Sequence, residues 1–92
     1  MKRPPTHTHF QTLVTAELTR ARRKFKRMHG PHEALGVIRE EYIEFEAEVF
    51  YKQHNNTGLL AELIQLAAMC QRAAEDLKLV NACTNDHEGA KQ

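Results

Sequence analysis

The chain has 92 residues and a mass of 10.6 kDa, with 41% hydrophobic and 27% charged residues. This composition is typical of one small globular domain, and it excludes a disordered chain, a disulfide scaffold and a collagen-like repeat. No apolar run approaches the roughly 18 residues that a membrane span needs. The net charge of +1 conceals an asymmetry: residues 1–32 contain eight Lys and Arg against one acid, and residues 33–92 contain five against eleven.

The first predicted helix covers residues 9–28 and follows a flexible tail at 1–8, which has two prolines and no periodicity. Its apolar stripe, spaced at about 100° per residue, consists of Phe10, Val14, Ala21, Phe25 and Met28. Gly30 and Pro31 end this helix and begin the next, because proline suits the first helical position. Glu33 then lies at the positive end of the second helix.

The second predicted helix covers residues 31–53 and the third covers 58–82. The buried stripe of the second helix is predicted to consist of Leu35, Ile38, Tyr42, Phe45 and Val49. The polar segment 54–58 separates the two helices, and Thr57 is a candidate cap for the third. No alternating segment is long enough for a sheet, so the predicted fold class is an all-α bundle of antiparallel neighbours.

These helices are predicted to form one domain over residues 9–82, with a frayed tail at 83–92, and to need a second copy. Ile43 and Phe50 lie off the buried stripe of the second helix, and the third helix is apolar nearly all round over 59–70. A helix that is apolar on every side needs neighbours on every side. Homo-oligomerisation, to a dimer or tetramer, is therefore expected to complete the bundle.

The second helix carries an acidic face. Helical geometry places Glu41, Glu44 and Glu48 within an arc of about 60° beside the buried stripe. Neighbouring carboxylates repel one another by a few tenths of a kcal/mol per pair, a cost that a bound cation reverses. Two interpretations follow from this helix, a solvated acidic face and a metal site.

The third helix adds two polar side chains to an apolar stretch. Glu62 and Gln65 are the only ones between residues 59 and 70, and their i,i+3 spacing places them on one face. A buried carboxylate needs a cation or a proton. Either Glu62 pairs with an Arg or Lys of the first helix, or it joins Glu41 and Glu44 around a metal; oxygen ligands favour Mg²⁺, with Mn²⁺ as the second choice.

These motifs resemble the metal-binding signature of a known family. Glu40-Glu41-x-x-Glu44, followed after 17 intervening residues by Glu62-x-x-Gln65, is similar to the EExxE and ExxD motifs of the MazG-like all-α nucleoside triphosphate pyrophosphohydrolases. The resemblance covers residues 31–77. It implies a homo-oligomeric helical bundle, a requirement for Mg²⁺, and hydrolysis of a nucleoside triphosphate, ribo or deoxy, to the monophosphate and pyrophosphate.

The resemblance also implies roles for individual residues. Glu41, Glu44 and Glu62 would be metal ligands, Glu40 a ligand or an orienting group, and Glu40 and Glu41 the catalytic pair. The chain departs from the family at Gln65, where the motif has Asp. An amide oxygen can coordinate Mg²⁺, but it brings no charge and cannot act as a base.

Two alternatives follow from this departure. Glu48, one turn beyond Glu44, could compensate for the missing charge, or the chain could be a catalytically impaired nucleotide-binding or protein-interaction module. The basic stretch of the first helix places Arg20, Lys24 and Arg27 on one arc. These residues either bind substrate phosphates or lie in solvent and pair with the acids of the second helix.

Other features argue against further kinds of site. The six histidines lack paired helical spacing for a metal, and the basic helix matches no nucleic-acid-binding motif, so no nucleic-acid partner is expected. Arg72 and Asp76 are spaced to form an i,i+4 ion pair. Cys70 and Cys83 are too far apart on one helix for a disulfide, and no secretory signal precedes the domain, so a cytoplasmic location is expected.

Overall fold

The computed structural model describes residues 6–51 and 55–80 of the chain, and in those residues it contains helices and no strand. The helices are α1 (Thr6–Lys24), α2 (Pro31–Phe50) and α3 (Asn56–Asp76). The predicted all-α fold class is confirmed for this part of the chain. Of the two predicted tails, residues 1–5 and 83–92 lie outside the described residues. None of the three helices is both long enough and apolar enough to span a membrane.

The first helix begins and ends earlier than its sequence predicts. It starts at Thr6, and its last backbone bond joins the Phe25 amide to the Ala21 carbonyl at 2.8 Å. Beyond that point the chain leaves the helix because side chains of α3 bond to its backbone: Arg72 donates to the Lys26 carbonyl, and Asp76 accepts from the Met28 amide. Tertiary contacts with α3 therefore replace the helical bonds predicted as far as residue 28.

The start of α2 agrees with the sequence pattern. Pro31 occupies the first turn, and Gly30 precedes it in an extended conformation. The Glu33 carboxylate accepts a hydrogen bond from the His29 amide at 2.8 Å, so the acid predicted at the positive helix end also binds a free backbone donor. The helix ends at Phe50, and Tyr51 forms a turn.

The third helix is capped by a residue other than the predicted one. The Asn55 side chain accepts a hydrogen bond from the Gly58 amide at 2.7 Å, so Asn55 is the N-cap and Thr57 lies inside the first turn. At the other end α3 stops at Asp76, before the predicted end at residue 82, and residues 81 and 82 lie outside the described part of the chain. Lys78 has a φ of 62°, and its amide bonds to the Glu75 carbonyl at 3.0 Å. A left-handed residue in this position ends the helix.

The core lies along α3, which packs against both α1 and α2, while the described parts of α1 and α2 have no backbone contact with each other. Ala68 is fully buried and Ala73 is 7% exposed, so small side chains let the neighbouring helices approach α3 closely. One buried cluster consists of Val14, Leu18, Ala21, Ala68 and Met69, and a second of Met28, Ala34 and Ala73. Val37 and Ile38 pack against both clusters and join them.

The buried stripe predicted for α2 is partly wrong. Leu35 and Tyr42 are 58% and 53% exposed, and the face of α2 that meets the core carries Ala34, Val37 and Ile38 instead. The stripe predicted for the first helix fails at Phe25, which lies beyond α1 and is 54% exposed. Apolar residues occur on two sides of α2, so periodicity alone selected a stripe that overlaps the packed face only in part, at Ile38.

Candidate metal centre

Three carboxylates from two helices meet beside the core. Glu41 and Glu44 lie about one turn apart on α2, and Glu62 lies on the second turn of α3. Each contributes one oxygen atom to a group in which all oxygens lie within 4.8 Å of one another. The packing of α2 on α3 therefore brings together three of the four acidic residues of the two sequence motifs.

Glu41 occupies an electrostatically unfavourable place in this cluster. It is partly buried, and its Oε1 atom is shielded from solvent and has no hydrogen-bond partner. Burial, followed by the charges of Glu44 and Glu62, raises the pKa of the Glu41 carboxyl from 4.5 to about 7. Neighbouring negative charges and lost hydration both oppose ionisation, so this carboxyl keeps its proton to a higher pH than an ordinary glutamate does.

Two residues of the cluster, Glu41 and Glu44, line a cavity of about 470 Å³ between α1, α2 and α3. Gln65 lines this cavity together with Glu41 and Glu44, so the residue at the departing motif position faces the same space. Two of the predicted substrate-binding residues, Arg20 and Lys24, line it as well. The remaining lining residues are Glu17, Ala21, Phe25 and Met69.

A second cavity, of about 340 Å³, lies on the other side of Glu41. Phe25, Glu41 and Met69 line both cavities and form the wall between them. Arg27, the third predicted substrate-binding residue, lines this second cavity and is separated from Arg20 and Lys24. The three do not share an arc of one helix, because α1 ends before Arg27.

Two further acids of the α2 motif region lie outside the cluster. Glu40 is exposed and lines the second cavity, next to Glu41 but not among the three converging carboxylates. Glu48 extends toward the start of α3, where its carboxylate lies so close to Gly58 that a Cβ atom there would clash with it. Glu48 therefore lies at the end of α2, where it packs against the first turn of α3.

Sequence reasoning missed Glu17, which belongs to the same cavity. Its side chain is 16% exposed, it forms an ion pair with Arg20, and its charge contributes to the raised pKa of Glu41. The available signal was its isolation, because Glu17 is the only acid in the basic first third of the chain and lies three residues from Val14 on the buried stripe. The ion pair leaves Arg20 near the cavity with part of its charge compensated.

The predicted pair of Arg72 and Asp76 is confirmed, with Arg72 Nε at 3.7 Å from Asp76 Oδ2. Asp76 also accepts a hydrogen bond from Arg22 at 2.7 Å. Burial raises the pKa of the Asp76 carboxyl, but the Met28 amide and the two arginines lower it by more, so that the net shift is downward. This pair is a separate network, and Asp76 lies more than three turns along α3 from Glu62.

The residues of the cluster fit a hard divalent cation. Their donor atoms are carboxylate oxygens, with an amide oxygen on Gln65 nearby, and oxygen donors of this kind are what Mg²⁺ and Mn²⁺ prefer. The shielded Oε1 atom of Glu41 accepts no hydrogen bond, and a bound cation would supply the partner that this atom lacks. Comparison with known proteins adds no family, since no family model, no curated protein and no solved structure matches the chain.

Proposed function

We propose that this chain is a MazG-like, Mg²⁺-dependent nucleoside triphosphate pyrophosphohydrolase. The observation that carries the proposal is the convergence of Glu41, Glu44 and Glu62, with oxygens within 4.8 Å, from two motifs on two helices. The order and spacing of these motifs resemble those of the family, and the cavity beside them carries positive side chains. The proposal includes a cytoplasmic location, where triphosphates are abundant and where a free thiol such as Cys70 stays reduced.

The carboxylates explain why a cation would bind here. Three negative charges at this separation repel one another, and this repulsion together with burial raises the pKa of Glu41 to about 7. Mg²⁺ held by Glu41, Glu44 and Glu62, with the Gln65 amide oxygen as a further ligand, would supply charge neutralisation and a lower pKa for bound water. Metal binding should therefore release a proton from Glu41 near neutral pH.

The two cavities would bind different parts of the substrate. The larger one combines Glu41 and Glu44 of the carboxylate cluster with Arg20 and Lys24, and suits a triphosphate that carries a charge of about −4 at neutral pH. The smaller one has apolar walls formed by Phe25 and Val37 beside hydrogen-bonding side chains, and suits the sugar and base. Arg27 lies at the second cavity and would contact the nucleoside end of the substrate.

The reaction forms one bond and breaks one. The oxygen of a water molecule attacks the α-phosphorus, the bond between this phosphorus and the oxygen bridging to the β-phosphorus breaks, and pyrophosphate leaves with that oxygen. The attacking water must lose a proton, which Gln65 cannot accept. Glu41 and the exposed Glu40 are the neighbouring carboxylates that can accept it or orient the water.

The experiment is a pyrophosphate-release assay on a panel of ribonucleoside and deoxyribonucleoside triphosphates with Mg²⁺ or Mn²⁺. We expect wild-type turnover and none from the Glu41→Gln, Glu62→Gln double variant. Glu46→Gln is the matched control, because Glu46 lies on α2 and borders neither cavity. Equal amounts of product from the wild type and the double variant would exclude the proposed pyrophosphohydrolase activity.

A second candidate function rests on Gln65, which lines the cavity at the motif position where the family has Asp. If a second cation or a base at this position is essential, the chain binds nucleotide without hydrolysing it. It would then act as a nucleotide-binding or protein-interaction module of the same fold.

Gln65→Asp distinguishes the two functions. The added charge lies beside the cluster and is expected to raise Mn²⁺ affinity about tenfold, since one favourable charge contact contributes on the order of 1.4 kcal/mol. Calorimetric Mn²⁺ titration measures this, and Gln65→Asn is the control that shortens the side chain without adding charge. If the wild type hydrolyses no triphosphate and Gln65→Asp does, the result supports the nucleotide-binding or protein-interaction module. Turnover in the wild type supports the enzyme.

The proposal also includes homo-oligomerisation. The side of α2 turned away from the core carries a line of exposed apolar residues: Leu35, Tyr42, Ile43 and Phe50, from 52% to 70% exposed. On α3, Leu60 and Leu63 are 42% and 39% exposed. Single exposed apolar residues are ordinary, but a stripe along a whole helix is typical of an interface, and a second copy presents a stripe of the same kind.

Ile43→Lys is expected to dissociate the oligomer, because it places a charge at the middle of this stripe. Sedimentation velocity measures the change in mass, and circular dichroism checks that the exposed substitution leaves the helices intact. Leu79→Lys is the control, because Leu79 is 55% exposed but lies beyond α3. A monomeric wild type, or an Ile43→Lys variant with the wild-type mass, would contradict the assembly.

A further inference from the structure

The connection between α1 and α2, residues 25–30, is held in place by the far end of α3. Its Met28 amide donates to Asp76 Oδ2 at 2.8 Å, and its Lys26 carbonyl accepts from Arg72 Nη2 at 2.6 Å. Asp76 and Arg72 are spaced i,i+4, so they project from one face of α3. Their side chains are only 3% and 5% exposed, which makes this contact part of the interior.

The same carboxylate also binds the end of α1. Arg22 donates to Asp76 Oδ1 at 2.7 Å and to the exposed Glu75 at 2.8 Å. Asp76 therefore joins α1, the connection and α3 through both of its oxygens. A backbone segment outside a helix has few constraints of its own, so these bonds decide where it lies.

This connection forms part of the candidate site. Phe25 lies between the two cavities and is packed beneath the Arg72 guanidinium, whose centre is 5.6 Å from the ring centroid. Lys26 and Arg27 line the second cavity beside Glu41. A shift of the segment would move positive charge and an aromatic wall away from the carboxylate cluster.

We propose that Asp76 is a positioning residue that holds the segment 25–30 against the nucleotide cavities. This inference rests on the proposed function, and it assigns Asp76 no contact with substrate or metal. Asp76 lies 14 residues from Glu62 on α3, about 21 Å along the helix. Nucleotide binding and metal binding should therefore respond differently to its removal.

The test compares Asp76→Asn with Glu75→Gln in the full-length chain. Asparagine loses the charge that binds Arg22, and it also weakens the bond to the Met28 amide, because a neutral amide oxygen accepts a weaker hydrogen bond than a carboxylate. We expect KM for the triphosphate to rise about tenfold with kcat within about twofold, because the segment binds substrate equally in the ground and transition states. Mn²⁺ affinity without nucleotide should stay unchanged, and amide exchange at residues 25–30 should accelerate. Glu75→Gln removes only an exposed partner of the same Arg22 and should match the wild type.

Different outcomes overturn different claims. Two outcomes would leave Asp76 with a purely structural role. One is an unchanged KM in a folded Asp76→Asn variant, and the other is a fall in both kcat and Mn²⁺ affinity in that variant. Arg22→Gln, which leaves Asp76 bound to Met28, is a milder second variant and should raise KM in the same direction. A wild type that hydrolyses no triphosphate would overturn the proposed function itself, whatever Asp76→Asn does.

Discussion

Glu41→Gln is expected to make the metal-free fold more stable at pH 8 and to reduce hydrolysis by at least about 100-fold, because even outer-shell partners of metal ligands cost 10- to 100-fold when removed. The two effects have one cause. Glu41 is held as a partly buried carboxylate among other acids, an arrangement that costs folding free energy and that a bound cation offsets. A residue kept for stability would show the opposite sign.

The stability effect depends on pH in a defined direction. The pKa of Glu41 is raised from 4.5 to about 7 in the folded state, so the folded chain binds more protons than the unfolded chain between these values. Stability therefore falls as pH rises through this interval and is lowest above it. The shift corresponds to an upper limit of about 3 kcal/mol, and because Glu41 is partly exposed we expect about 1–2 kcal/mol.

Thermal unfolding of wild type and Glu41→Gln in EDTA at pH 5 and pH 8 measures this effect. At pH 5 the two should differ much less, because Glu41 is then protonated in the folded state and pH 5 lies only just above its unfolded pKa of 4.5. At pH 8 the variant should melt several degrees higher. Glu46→Gln, on the same helix but outside both cavities, should show no such pH-dependent gain. A Glu41→Gln variant that melts below the wild type at pH 8 would contradict the strained carboxylate cluster.

The same residue explains where sequence reasoning succeeded and where it failed. The three helices and the convergence of Glu41, Glu44 and Glu62 follow from local periodicity and from motif spacing, both of which can be read from one chain. The face of α2 that meets the core could not be read in this way, because Glu41 lies on it. A carboxylate on the packed face weakens the apolar pattern, and such local conflict is expected at functional sites.

Contacts between distant residues account for the other differences. The end of α1 is set by Arg72 and Asp76, which lie more than 40 residues further along the chain, and no local signal near Lys24 reports them. The stripe through Leu35 and Tyr42 is genuinely apolar, but it is exposed within one protomer. Periodicity detects that a face is apolar and does not say whether its partner is the same chain or another copy.

Asp76→Ala is expected to destabilise the fold by about 3–5 kcal/mol, the usual cost of removing one member of a buried ion pair. The substitution leaves the Arg72 guanidinium, 5% exposed, without its carboxylate and the Met28 amide without its acceptor. Such a loss is a large part of the stability of a domain this small. Urea unfolding measures it, with Glu75→Ala as the control: Glu75 is an exposed partner of Arg22, which Asp76 also binds, and its removal should cost about 0–1 kcal/mol.

The difference between wild type and Asp76→Ala should shrink as pH falls below about 4, because the lowered pKa of Asp76 adds stability that is present above its unfolded pKa and lost as the folded carboxyl protonates. Equal urea midpoints for the Asp76→Ala and Glu75→Ala variants would show that the network has no more effect than a surface ion pair.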